Sequence, residues 1–151
     1  MDLLKENISK ICEEITESQG FFLIDLNFRG DQRKRIIEVY VDGEKNITAE
    51  DLSELSKKIN DSIENSNLIT ESYRLDVSSP GVDRPLKFLK QFPKHVNRNF
   101  EITYKADDST LTIKAKLLSV ERNFLTFVSG KDTFLINFND IIKAKVLISF
   151  S

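Results

Sequence analysis

The chain has 151 residues, 40% of them hydrophobic and 30% charged. That length buries roughly 70% of the extended surface on folding, enough for one large core or two small ones. The composition excludes collagen-like, mucin-like and wholly disordered chains. The net charge of −2 hides an asymmetry: residues 1–84 carry 11 Lys+Arg against 18 Asp+Glu, and residues 85–151 carry 11 against 6. An acidic half beside a basic half suggests two domains facing different partners, the basic one suited to polyanions and the acidic one to a basic protein.

The single cysteine, Cys12, forbids an internal disulfide and a Cys-based metal cage, so a reducing cytoplasm is the expected location. The longest apolar run, residues 21–24, spans four residues, against the roughly 20 needed to cross a bilayer. Asp2, Lys5 and Glu6 argue against a secretory signal.

Leu4, Ile8, Ile11 and Ile15 recur at helical spacing, with Gly20 as a stop, and Cys12 widens the same apolar stripe. Phe22, Ile24, Leu26 and Phe28 alternate with polar residues, as do Ile37, Val39 and Val41. Gly30-Asp31 between them predicts a hairpin. Thr48, with Asp51 three residues on, reads as the capping box of a second helix bearing Leu52, Leu55, Ile59 and Ile63. Tyr73, Leu75 and Val77 predict a third strand, placed most simply beside the first. The order is α-β-β-α-β, a three-stranded sheet with both helices on one face. After Pro80-Gly81, Leu86, Leu89 and Phe92 allow one short helix before Pro93. Residues 100–105, 111–120, 124–128, 133–138 and 142–148 then read as five short antiparallel strands separated by turn residues, which suggests a small barrel. The expected class is α+β, with an N-terminal domain over 1–84, a linker with a short helix over 85–98, and a five-stranded barrel over 99–151.

Catalytic constellations are missing from the sequence. There is no phosphate-binding glycine loop, no G-x-S-x-G elbow, and a lone His95, expected at the surface, that lies 83 residues from the lone Cys12. No enzyme activity, cofactor or metal is therefore expected. A metal site at Asp76 and Asp83 is a weaker reading than a strand-end charge and a loop-ordering carboxylate. The binding signals are stronger. Arg29, Arg33, Lys34 and Arg35 cluster at one hairpin tip, where they suit either phosphates or a solvated turn. Arg98, Lys105, Lys114, Lys116, Lys143 and Lys145 fall largely on the late strands. Lys114 and Lys116 share a strand face and are candidate RNA contacts with the hairpin cations. Phe124 and Phe127 have base-stacking chemistry, but a core competes for them. Ser78, Ser79, Pro80, Gly81, Asp83, Arg84 and Pro85 form the most information-rich stretch, which reads either as a stiff interdomain loop or as a docking surface.

That stretch sits within L-D-V-S-S-P-G-V-D-R-P-L, which resembles the signature of the bacterial ribosome maturation factor RimP family. The early helix ending in Gly20-Phe21, Val39-Tyr40-Val41-Asp42 closing a hairpin, and Asn139-Asp140-Ile141-x-Lys143-Ala144 support the resemblance. It implies an α/β N-terminal domain, an Sm-like C-terminal barrel, and non-catalytic binding to the immature 30S subunit. The implied partners are 16S rRNA and a basic small-subunit protein near the decoding centre. No membrane or small-molecule substrate is implied, and a monomer is expected. A basic protein partner requires an acidic or apolar patch on the positive half, with Asp107, Asp108, Asp132 and Asp140 as candidates. The alternative is a general RNA-binding protein or RNA chaperone with KH-like and Sm-like modules. A KH module needs a G-x-x-G loop, and the glycines stand singly at 20, 30, 43, 81 and 130.

Overall fold

The computed structural model describes residues 3–31, 33–80 and 84–148. The chain divides into two compact units, residues 1–80 and 81–151.

The first unit begins with helix α1 (Leu3–Ser18), which buries Ile8, Cys12 and Thr16. It ends where Gly20 adopts φ +86°, and the Phe21 N–H donates back to the Thr16 carbonyl at 3.0 Å. Strands β1 (Phe22–Arg29) and β2 (Arg35–Asp42) form the expected antiparallel hairpin. Gly30 makes the turn possible. It sits at φ +77°, and a Cβ there would lie 2.0 Å from the Lys34 carbonyl oxygen. Helix α2 (Ala49–Ser66) opens with the expected capping box: Thr48 Oγ1 accepts from the Asp51 N–H at 3.1 Å, and the Asp51 carboxylate accepts from the Thr48 N–H at 3.0 Å. Asn67 closes it in the left-handed region.

Strand β3 (Tyr73–Ser78) pairs in parallel with β2, not with β1 as expected, so the order is β1-β2-β3. The central place goes to the most completely buried strand. Ile37, Val39 and Val41 on β2 are fully buried, whereas Phe22, Ile24 and Leu26 on β1 keep 4–6% exposure and β3 has no buried residue. A crossover through α2 then joins two adjacent parallel strands in the usual way. Both helices cover one face, where Ile8, Cys12, Leu26, Leu55, Ile59 and Ile63 share a core with the β2 residues. Tyr73 ties β3 to α2, its hydroxyl donating to Asn60 Oδ1 at 2.6 Å.

The second unit is an antiparallel five-stranded sheet of order β7-β6-β5-β4-β8, made of β4 (Asn99–Ala106), β5 (Ser109–Glu121), β6 (Phe124–Ser129), β7 (Asp132–Asn137) and β8 (Ile141–Val146). Among the described residues β7 and β8 remain unpaired edges, so the barrel expected from the sequence is not closed. A single 3-10 turn, Phe138–Asp140, joins the two edges and takes Phe138 out of strand geometry. The sheet still wraps a core. β5 is 13 residues long: its first part pairs with β4, its last part with β6, and the register shifts between Leu117 and Ser119. This brings Phe100 and Phe127 into edge-on contact, ring centroids 5.7 Å apart.

Residues 85–98, expected as a linker, are packed into this second core. Two 3-10 turns, Leu89–Gln91 and Pro93–His95, replace the expected short helix. Phe92 is fully buried and stacks on Phe100 at 5.8 Å. The Leu86 N–H donates to the Ala144 carbonyl at 2.8 Å, and the Asn97 N–H to the Leu117 carbonyl at 2.7 Å. Buried Gln91 accepts the N–H groups of Lys87 and Phe88 at 2.7 and 2.8 Å. His95, expected at the surface, is half-buried with its ring edge-on to Phe100.

Candidate functional site

The hairpin tip is a built turn. Asp31 Oδ1 accepts the N–H groups of Arg33 and Lys34, each at 2.9 Å, leaving both cationic side chains exposed. The other two cations of the cluster are spent locally. Arg29 Nε lies 3.0 Å from Glu38 Oε1 across the hairpin. The Arg35 guanidinium lies over the Phe28 ring, 5.3 Å from its centroid. Arg29 is paired with Ile36 in the ladder, so Arg35 points to the opposite face of the sheet. Four neighbouring cations therefore give two exposed tip charges and two that serve opposite faces.

The loop residues divide. Ser78 ends β3 opposite Tyr40, and Ser79 and Pro80 follow, all half-buried. Arg84 and Pro85 are half-buried in the second unit. Gly81 and Asp83 lie outside the described residues. Asp76 is held by Arg74, whose Nη2 reaches Oδ2 at 2.9 Å and whose Nε reaches Oδ1 at 3.1 Å. That hydrogen-bonded pairing lowers the Asp76 pKa below the ordinary carboxylate value. Cys12 is inert by the opposite effect: burial pushes its thiol up to about 12, far from the thiolate that a nucleophile or metal ligand needs. Among the described residues no group of three or more His, Cys, Asp or Glu is placed to hold a metal ion.

Lys114 and Lys116 lie exposed on the outer face of β5, opposite Glu101 and Asn99 of β4. The inward positions of the same strands belong to Phe100, Ile102, Ala115 and Leu117. Phe127 is fully buried, while Phe124 is 44% exposed on the outer face of β6. There it joins a separate apolar patch with Leu118, 50% exposed on β5, and Leu135, 68% exposed on β7. This patch escaped the sequence reading because Leu118 occupies the irregular position in β5, which breaks the alternation that a strand pattern relies on.

No helix among the described residues is long and apolar enough to cross a membrane. Residues 11–83 match the family model of the RimP N-terminal domain, and these residues hold the second half of α1 and all of β1, β2, α2 and β3. Over these residues the chain is similar to the N-terminal domain of the RimP family of ribosome maturation factors.

Proposed function

We propose that the protein binds the immature 30S subunit in the cytoplasm and assists its assembly as a stoichiometric factor, without a catalytic step. The observation that carries this reading is the RimP N-terminal domain match over residues 11–83, joined to a basic second unit. Such a factor works by binding one state of the particle more tightly than another, so the population shifts toward the favoured arrangement and the factor leaves when its preferred surface is gone. The surface partners are 16S rRNA and a basic small-subunit protein near the decoding centre, and the protein acts as a monomer.

Arg29, Arg33, Lys34, Arg35, Lys114 and Lys116 are the candidate rRNA contacts. Arg33 and Lys34 are favoured because they are exposed at the tip, whereas Arg29 is paired with Glu38 and Arg35 lies over Phe28. The stretch that includes Ser78, Ser79, Pro80, Gly81, Asp83, Arg84 and Pro85 carries the domain connection and, in part, the ribosome contact. The apolar patch of Leu118, Phe124 and Leu135 suits the protein partner better than the aspartates at 107, 108, 132 and 140. Sedimentation with small subunits tests the reading. Association should be strong at low salt and fall steeply at high salt. Equal association with mature large subunits contradicts it.

A further inference from the structure

The outer surface of the second unit is divided by chemistry. Toward β6 and β7 it carries the exposed Leu118, Phe124 and Leu135 among neutral polar residues such as Thr126, Thr133 and Asn137. Toward β4 and β8 it is cationic. Strand register brings lysines from three strands to one face: Lys114 pairs with Glu101, Lys116 with Asn99, Lys143 with Thr103, Lys145 with Glu101, and Lys105 with Thr110. Four of the five are exposed and Lys145 is half-buried. Glu101 is the one acid in these rows. The five ammonium groups make no ion pair among the described residues. Between them stand neutral hydrogen-bonding groups, including Thr103 and Thr112, whose hydroxyls meet at 3.0 Å.

Lys114 and Lys116 on β5 and Lys143 and Lys145 on β8 form two rails flanking β4. With strands about 4.8 Å apart the rails stand about 10 Å from each other, and lysines within a rail are about 7 Å apart. Flexible, strongly hydrated ammonium groups in a row are point charges suited to phosphate oxygens. The rows hold no aromatic ring on which a base would stack and no arginine fork to read a base edge.

We infer that this lysine face binds the phosphate backbone of RNA without reading its bases. It is thereby the main polyanion contact of the protein, ahead of the hairpin tip. The inference rests on the ribosome-binding reading for its biological setting, but the surface itself is tested with RNA alone.

The experiment uses the full chain and a fluorescein-labelled RNA hairpin oligonucleotide, with affinity measured by anisotropy across a salt series. The double variant Lys114→Gln/Lys143→Gln should bind about tenfold or more weakly at physiological salt. Its log–log salt slope should be shallower by about 2, roughly one per phosphate contact removed. The tip variant Arg33→Gln/Lys34→Gln should lose less, and a scrambled RNA of the same composition should bind as well as the original. Circular dichroism and a melting curve verify that the exposed substitutions leave the fold intact. An unchanged salt slope in the lysine variant, a larger loss from the tip variant, or strong preference for one RNA sequence overturns the inference. A parallel sedimentation with small subunits separates the two claims. Lysine-dependent RNA binding without subunit binding upholds this face and refutes the ribosomal reading. Subunit binding that survives the lysine variant but is lost in Leu135→Asp assigns the interaction to the patch of Leu118, Phe124 and Leu135 and overturns the inference.

Discussion

Replacing Phe92 with alanine should collapse most of the stability of the second unit. The side chain is fully buried, stacks on Phe100 at 5.8 Å with an interplanar angle of 13°, and meets Phe138 edge-on at 6.0 Å. Removing a buried phenylalanine ring costs about 3–5 kcal/mol through lost transfer energy and the cavity left behind. A unit of this size is stable by about 4–10 kcal/mol in total. The variant should therefore melt roughly 15 °C or more below the wild type. Gln91→Ala is the polar companion. It leaves the part-buried Lys87 and Phe88 N–H groups without the Gln91 acceptor, at about 0.5–1.5 kcal/mol for each hydrogen bond lost. Urea denaturation followed by circular dichroism measures the loss. Labelling of Cys12, the only thiol and a core residue of the first unit, reports that unit separately. A Phe92→Ala cost below about 1 kcal/mol, as for a residue in a solvated connection, would refute the placement of residues 86–98 in the second core.

Two further perturbations probe the first unit. Gly30→Ala should destabilise it by more than about 2 kcal/mol, because a left-handed backbone alone costs an L-residue about 1–2 kcal/mol and the new Cβ would overlap the Lys34 carbonyl. A thermal melt within a degree or two of wild type would show that the turn rearranges freely. The Cys12 thiol, raised to about 12 in the folded state, links stability to alkaline pH. The folded state favours the protonated form, so this contribution is complete below the unfolded thiol pKa near 9 and is lost as pH rises toward about 12. Urea midpoints measured from neutral to alkaline pH should fall more steeply for wild type than for Cys12→Ala, and parallel curves would contradict the assigned burial.

The local elements were legible in the sequence because each had a local cause. The Thr48 and Asp51 pair marks the start of α2, Gly30-Asp31 marks the hairpin, and 3.6-residue and two-residue periods mark the helices and strands. What escaped was pairing between elements. The order β1-β2-β3 depends on which strand buries more apolar surface, a comparison that no single strand pattern contains. Leu86, Leu89 and Phe92 have a spacing compatible with a short helix, and only the contacts with Phe100, Phe138 and Ala144 reveal a core role. The candidate site follows the same rule. Proximity in sequence joined Arg29, Arg33, Lys34 and Arg35 into one cluster, although alternation along a strand sends Arg29 and Arg35 to opposite faces. Lys105, Lys114, Lys116, Lys143 and Lys145 were legible as strand residues, but only the register between β4, β5 and β8 shows that they share one face.

The most direct measurement is a cryo-EM map, backed by lysine cross-links, of the protein mixed with immature small subunits. Density for both units beside the decoding centre, with cross-links from the second unit to neighbouring ribosomal protein, is the predicted result. A particle population that carries no such density at saturating protein, or density found equally on large subunits, would contradict the assignment as a small-subunit assembly factor.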